Sequence, residues 1–518
     1  MAKFNKAVDK TIQNHEGGVA FQLEPKQELI NLTLTSMINE DKFYVSGVDE
    51  FKRFTDLIFI VSNYDPEFIL KLAKYARNEF YMRTAPVVLL AEASMIEDCK
   101  PFVRQYAPQI IKRADELTEV IAYWTSAYGS IGSNGNVPFP NSLKKGVADS
   151  FNNFNEYHLT KYDRKGAVTL KDVLRICHPA PKDETQDNLF AYLADKEYDP
   201  DKLPIVKAKA KLNDFDTLND EAIAFIKENN FTWEVLVSKF GNFKEVWDSI
   251  NLPFMAMLRN LRNLIKSGAN LNKYIQMLLD KNQVFASKQF PFRFYTAYRE
   301  IQQLDRAVGD VRPVLNALTY AVEHSVNNLP KLPGLSIVSA DVSGSMQQPV
   351  SRRGTVLCSD ISLLFTAMAD KICDNAIVSV FGTKFATLNT NGREDIFTLM
   401  SELEKVNVGW STNGYLIPKY LLEKQIKVDR IIVFSDMQMY DDNNYYSEQS
   451  FKGYFNKYVA YNPDVYLYTI DLAGYGHSVV DPNNPRVVKI AGWSDKVLNL
   501  IAHYESDKST LVKGIEES

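Results

Sequence analysis

At 518 residues the chain is longer than one hydrophobic core usually serves, so two or more domains are expected. Its 45% hydrophobic and 24% charged residues are those of an ordinary soluble globular protein, which excludes a disordered or fibrous chain. The net charge of −5 disfavours a uniformly basic nucleic-acid surface, and no apolar run approaches the length of a membrane span.

The charge is uneven along the chain. Residues 1–330 carry 41 basic and 42 acidic side chains, whereas residues 251–300 carry 8 basic and 2 acidic. A basic island in a neutral region is the footprint of a phosphate-backbone site, and equally of a solvated helix face. Four scattered cysteines (Cys99, Cys177, Cys358, Cys373), with no Cys-x-x-Cys pair, argue for a reducing compartment and against structural zinc. Met1–Lys6 lead into no apolar stretch, so no secretory signal is expected and a cytoplasmic protein is.

Residues 1–330 read as helices. Pro66–Arg77, Pro86–Ile96, Pro108–Tyr123, Asn141–Phe154, Leu170–Cys177, Trp233–Phe240, Pro253–Lys266, Leu271–Leu279 and Pro313–Ser325 carry apolar residues at three- and four-residue spacing. Several have Pro at or just inside the start, where its missing N–H is harmless. Paired short helices with few strand signals predict an α-solenoid of the HEAT type, although no clean repeat period is visible.

Within Pro253–Lys266, Met255, Leu258, Leu261 and Ile265 fall on one face, while Arg259, Arg262 and Lys266 form a second stripe. The stripe fits either a phosphate contact or a plain surface helix.

Asn327–Gly334 breaks the helical pattern and separates a region 1–330 from a region 335–518. Beyond it, strands are predicted at Leu335–Asp341, Ala376–Gly382, Arg430–Asp436, Val465–Leu472 and Val487–Gly492. Helices are predicted at Leu357–Cys373, Glu394–Val406, Asn413–Leu422 and Ser494–Tyr504. This βαβ alternation predicts an α/β doubly wound, Rossmann-like sheet.

Three segments would meet at the C-terminal edge of that sheet, where doubly wound folds bind ligands. Asp341-Val342-Ser343-Gly344-Ser345 follows the first strand, Thr412 lies in a turn-rich loop, and Asp436 ends the third strand. Hydroxyls and carboxylates at such positions suit a hard cation, Mg²⁺ or Mn²⁺. The bland alternative is a set of ordinary loop-forming Ser and Asp residues.

Asp341, Ser343, Ser345, Thr412 and Asp436 together resemble the metal-ion-dependent adhesion site of von Willebrand factor A domains, in which the metal keeps an open position for a partner's carboxylate. Many such domains place Gly directly before the Thr; here Gly409-Trp410-Ser411-Thr412 has Ser. Three segments of the helical region are similar to hallmarks of the TROVE module: Leu252–Leu261, Arg77–Pro86, and Arg164-Lys165-Gly166 through Leu170–His178. A TROVE module followed by an A domain resembles the Ro autoantigen family over about residues 15–505.

The resemblance implies a monomeric ring of HEAT-like repeats closed by the A domain. In that family the outer surface binds small noncoding Y RNAs and the central hole takes single-stranded 3′ ends of misfolded RNAs. Bacterial relatives are associated with exoribonucleases. By resemblance, Lys171, Arg175 and His178 are outer-surface RNA candidates; they lie four and three residues apart and are expected to share a face. Arg77, Arg83, Arg259 and Arg262 are inner-surface candidates, with Phe80, Tyr81, Phe292, Arg293 and Tyr295 nearby as stacking candidates or core.

The expected function is RNA binding in small-RNA quality control, without catalysis, since no carboxylate cluster would hold two metals for phosphodiester cleavage. The alternative is a cation-dependent protein-interaction scaffold that binds no RNA.

Overall fold

A computed structural model describes residues 11–518 apart from 16, 36–44, 130–137, 230, 290, 305–308, 328, 351–354, 391, 441–449, 482–485, 493–495 and 508–510. Met1–Lys6, Asn328 of the predicted break, and residues 494–495 of the last predicted helix lie outside the described residues. The chain divides into two compact units. One comprises Met1–Leu57, Met277–Gln302 and Arg312–Gly514; the other comprises Ile58–Gln276, Gln303–Val311 and Ile515–Ser518. Among the described residues no helix is long and apolar enough to cross a membrane.

The second unit is a solenoid-like succession of short helices. Leu170–Cys177 and Trp233–Phe240 fall where their apolar spacing predicts. The predicted helix Pro108–Tyr123 is instead two helices, Lys100–Ile110 and Ala114–Tyr128. Between them Ile111 and Arg113 are extended, and the Glu116 carboxylate accepts the backbone N–H groups of Lys112 and Arg113 at 2.8 and 3.0 Å. That cap satisfies donors a new helix would leave orphaned. Pro108 therefore sits inside the end of a helix and does not begin one. Neighbouring helices approach closely: a Cβ on Gly146, in Asn141–Ser150, would come within 2.7 Å of Ala107 Cβ.

The first unit is built on a six-stranded sheet. Its strands are β3 (Leu332–Asp341), β4 (Cys373–Phe381), β5 (Phe385–Leu388), β6 (Arg430–Ser435), β7 (Tyr466–Asp471) and β9 (Val487–Ala491), ordered β5-β4-β3-β6-β7-β9. Every neighbouring pair is parallel except the antiparallel β4–β5 edge. The central strands are buried on both faces, which explains their continuous apolar runs. On one face Ile337, Ile431 and Val433 pack with Ile417, Leu421 and Phe455; on the other the Phe365 and Phe434 rings stack at 5.3 Å.

The chain winds one way from β3 to β4 and the other way to β6. The crevice at the C-terminal ends of β3 and β6 is thus the topological switch point. A second, three-stranded sheet was not predicted. It joins β1 (Thr11–Gln13) and β2 (Val19–Gln22) to β8 (His477–Ser478).

Candidate metal centre and nucleic-acid interface

At the switch point the parallel register sets Ala340 beside Phe434, so Asp341 and the Ser435-Asp436 pair leave adjacent strands together. Asp341, Ser343 and Asp436 are fully buried, Ser345 and Thr412 nearly so. Asp341 Oδ1 accepts the Ser343 N–H at 2.9 Å, which folds the loop back on its own strand, and the Ser343 and Ser345 hydroxyl oxygens lie 3.5 Å apart. The Thr412 loop is tied to this turn by the Gly344 N–H donating to Trp410 O at 2.8 Å. It is tied to the segment after β6 by the Tyr440 N–H donating to Thr412 O at 2.8 Å. The Trp410 side chain is 71% exposed, so the bulky residue at that loop extends into solvent.

Burial, and next the neighbouring Asp341 carboxylate, push the Asp436 carboxyl up to about 8. Its Oδ1 accepts the Gln438 N–H, its Oδ2 is buried with no close hydrogen-bond partner among the described residues, and the nearby Ser345 hydroxyl partly offsets the rise. Two buried carboxylates and three hydroxyls, with one carboxylate oxygen orphaned, fit a hard divalent cation, whose charge would let both acids ionise. Ser435 was missed from sequence. Its hydroxyl donates to Asp341 Oδ2 at 2.5 Å, and its only sequence signal is a polar side chain closing the apolar run of β6.

Arg77, Arg83, Lys171, Arg175, His178, Arg259 and Arg262 all lie in the helical unit, whereas Phe292, Arg293 and Tyr295 belong to the first unit. In the helix Leu170–Cys177, capped by Thr169 and Asp172, Lys171 is paired with Asp195 and Arg175 is exposed. The helix stops at Cys177. His178 turns left-handed at φ 50° with its N–H on Leu174 O, so helical spacing does not extend to this exposed residue, as the shared-face expectation required.

In the helix Phe254–Ser267 the cations Arg259, Arg262 and Lys266 lie on the side opposite a buried face of Met257, Leu258, Leu261, Leu264 and Ile265. Arg259, Arg262 and Lys266 are all exposed. Met255, assigned to the core from sequence, is only half-buried.

Arg77 is a correction. It is 8% exposed and its guanidinium meets the buried Glu116 at 3.0 Å, so it holds the helical core together and does not face a ligand. Arg83 is half-exposed and donates to Asp115 at 2.8 Å. Of the stacking candidates, Phe80 and Tyr295 are buried, the latter donating its hydroxyl to Asp360 at 2.6 Å, whereas Tyr81 is 49% exposed.

Sequence reasoning also missed a cation-ringed aromatic. Arg113, Arg164 and Lys161 lie 4.8, 5.5 and 5.8 Å from the centre of the Tyr162 ring. Lys161 and Arg164 are visible locally, but Arg113 arrives through the fold.

A family model described as TROVE domain matches residues 23–230 and 226–320, and one described as Ro60 vWA domain matches residues 336–505. Two curated relatives are telomerase protein component 1 of Rattus norvegicus, 26% identical over 46% of this chain and 11% of that protein, and of Mus musculus, 26% identical over 47% and 11%. RNA-binding protein RO60 of Caenorhabditis elegans is 21% identical over 60% of this chain and 50% of its own length. The chain thus spans about a tenth of the telomerase proteins and half of RO60. The crystal structure of the Deinococcus radiodurans RO (RSR) protein aligns over 93% of this chain and 100% of its own, with a TM-score of 0.68 at 17% identity, which is a likeness of fold. With a TROVE domain over more than half its length and a Ro60-type von Willebrand A domain after it, the chain belongs to the Ro family.

Proposed function

We propose that this protein is an RNA-binding protein of the Ro type, acting by binding and not by catalysis, in the quality control of small RNAs. The observation that carries the reading is the exposed Arg259-Arg262-Lys266 stripe within a region matched by the TROVE model. Three cations on successive turns of one helix suit a run of phosphates. A relative named RNA-binding protein RO60 adds support.

On this reading Lys171, Arg175 and His178 hold a structured Y-like noncoding RNA. Arg83, Arg259 and Arg262 hold the single-stranded 3′ end of a misfolded RNA within the family's expected ring. Lys171 reaches RNA by exchanging its Asp195 partner for phosphate. Asp341, Ser343, Ser345, Thr412 and Asp436 hold Mg²⁺ or Mn²⁺, which supplies an electrophilic position for the carboxylate of a protein partner, an exoribonuclease being one candidate. A cytoplasmic location accords with four buried cysteines of which none forms a disulfide.

The test is charge reversal of Lys171 together with Arg175, with binding measured for a stem-bearing RNA and for a single-stranded tail. The expected result is a selective loss of the stem-bearing RNA. Equal loss of both ligands would remove the separate outer site, and unchanged binding of both would remove these residues from the interface.

A further inference from the structure

The segment that follows Asp436 joins the two halves of the candidate metal centre, and it is conformationally strained. Met437 has φ +61°, a left-handed conformation that a side-chain-bearing residue holds only when its surroundings impose it. Gln438 then donates its N–H to Asp436 Oδ1 at 3.1 Å, and Tyr440 donates its N–H to Thr412 O.

What grips this segment is the turn of the β1–β2 hairpin, more than 400 residues away in sequence. Asn14 is 6% exposed. Its side-chain amide donates to Met439 O at 2.7 Å, while its Oδ1 accepts the Gly18 N–H at 2.8 Å. The His15 N–H donates to Gln438 Oε1 at 2.9 Å. Gly18 is pressed against the same carbonyl: a Cβ there would come within 2.2 Å of Met439 O. From the other side, a Cβ on Gly414, two residues past Thr412, would come within 2.3 Å of Met439 Sδ. Met439 is therefore wedged between the hairpin turn and the Thr412 loop.

We propose that Asn14 is a positioning residue of the cation site, and that the N-terminal hairpin is a brace holding Asp436 and Thr412 in register for a divalent cation. The inference rests on the cation-site reading above. Outer groups that orient metal ligands commonly change affinity by about 10–100-fold when removed, so Asn14→Ala is expected to weaken Mn²⁺ binding about tenfold. Gly18→Ala, which pushes on the same carbonyl, is expected to do likewise.

The experiment measures Mn²⁺ affinity of the full chain by calorimetry, and amide exchange at Tyr440, for wild type, Asn14→Ala, Gly18→Ala and Asp341→Ala. Support is weaker Mn²⁺ binding and faster Tyr440 exchange in both hairpin variants, with native circular dichroism and with binding abolished in Asp341→Ala. A merely structural role would lower the urea midpoint and leave the Mn²⁺ affinity and the Tyr440 exchange unmoved, which would overturn the brace. Loss of the fold in both hairpin variants would overturn it too, since the hairpin would then belong to the general core. Wild type and Asp341→Ala binding Mn²⁺ equally would instead overturn the cation-site reading, with Tyr440 exchange still reporting on the brace alone.

Discussion

The buried pair Asp341 and Asp436 makes the stability of the α/β unit depend on pH in a direction opposite to that of most acidic groups. Burial and the Asp341 charge raise Asp436 to about 8 in the folded chain, against an ordinary value of 3.8. The folded state therefore keeps a proton that the unfolded state has released, and stability falls as pH rises through this window. One proton corresponds to about 1.4 kcal/mol per pH unit, so the cation-free chain should lose roughly 2 kcal/mol between pH 6 and pH 8. His477 acts with the opposite sign and lower down. Burial pushes its imidazole to about 4, so its contribution is lost as pH falls below the ordinary 6.5.

The assay is the urea midpoint of peptides from β3 and β6, read by pulsed amide exchange, in chelator and in excess Mg²⁺ or Mn²⁺. In chelator the midpoint should fall from pH 6 to pH 8. With a cation bound the fall should shrink or vanish, because the cation takes the place of the proton. Asp436→Asn should flatten the chelator profile and abolish the effect of the cation. A chelator profile that is flat in wild type and identical in Asp436→Asn would refute the electrostatic argument.

Other expectations follow from single interactions. Arg430 is 3% exposed and its guanidinium takes both oxygens of Glu505 at 2.7 and 2.8 Å. Glu505→Ala should destabilise the unit by about 3–5 kcal/mol by stranding a buried charge, measured as the urea midpoint. Arg77→Ala should lower the stability of the helical unit by a similar amount through Glu116; in protein that remains folded, RNA affinity should be unchanged in a filter-binding assay. Arg259→Glu with Arg262→Glu should weaken single-stranded tails of every sequence alike and leave the stem-bearing RNA bound. It should also make the slope of log affinity against log salt shallower by about one for each phosphate no longer neutralised. An unchanged slope would remove the stripe from the interface.

The sheet was legible because its strands are buried on both faces and write themselves as apolar runs; β3, β4, β6, β7 and β9 lie within a few residues of their expected bounds. The half-exposed edge strand β5 has no such run and was missed. So was the hairpin β1–β2, whose short strands are completed by β8, at the far end of the chain.

At the candidate site, Asp341, Ser343, Ser345, Thr412 and Asp436 were visible because each lies next to a strand end or turn. Ser435, Gln438 and Asn14 were invisible because their importance is a matter of which atom they touch. Arg77 misled for the same reason: a cation's sequence context does not reveal a carboxylate 39 residues on, as Glu116 is. The Pro108 error shows the limit of Pro as a start signal, since one is tolerated near a helix end when the next helix begins with its own cap.

The most direct test of the central claim is to purify the protein from its native cells at low salt, then record the ultraviolet absorbance ratio and sequence any RNA that accompanies it. The account predicts a discrete, structured small RNA in near-stoichiometric amount that is released as salt is raised. A clean protein spectrum, together with no binding to a structured RNA carrying a single-stranded 3′ tail, would contradict it.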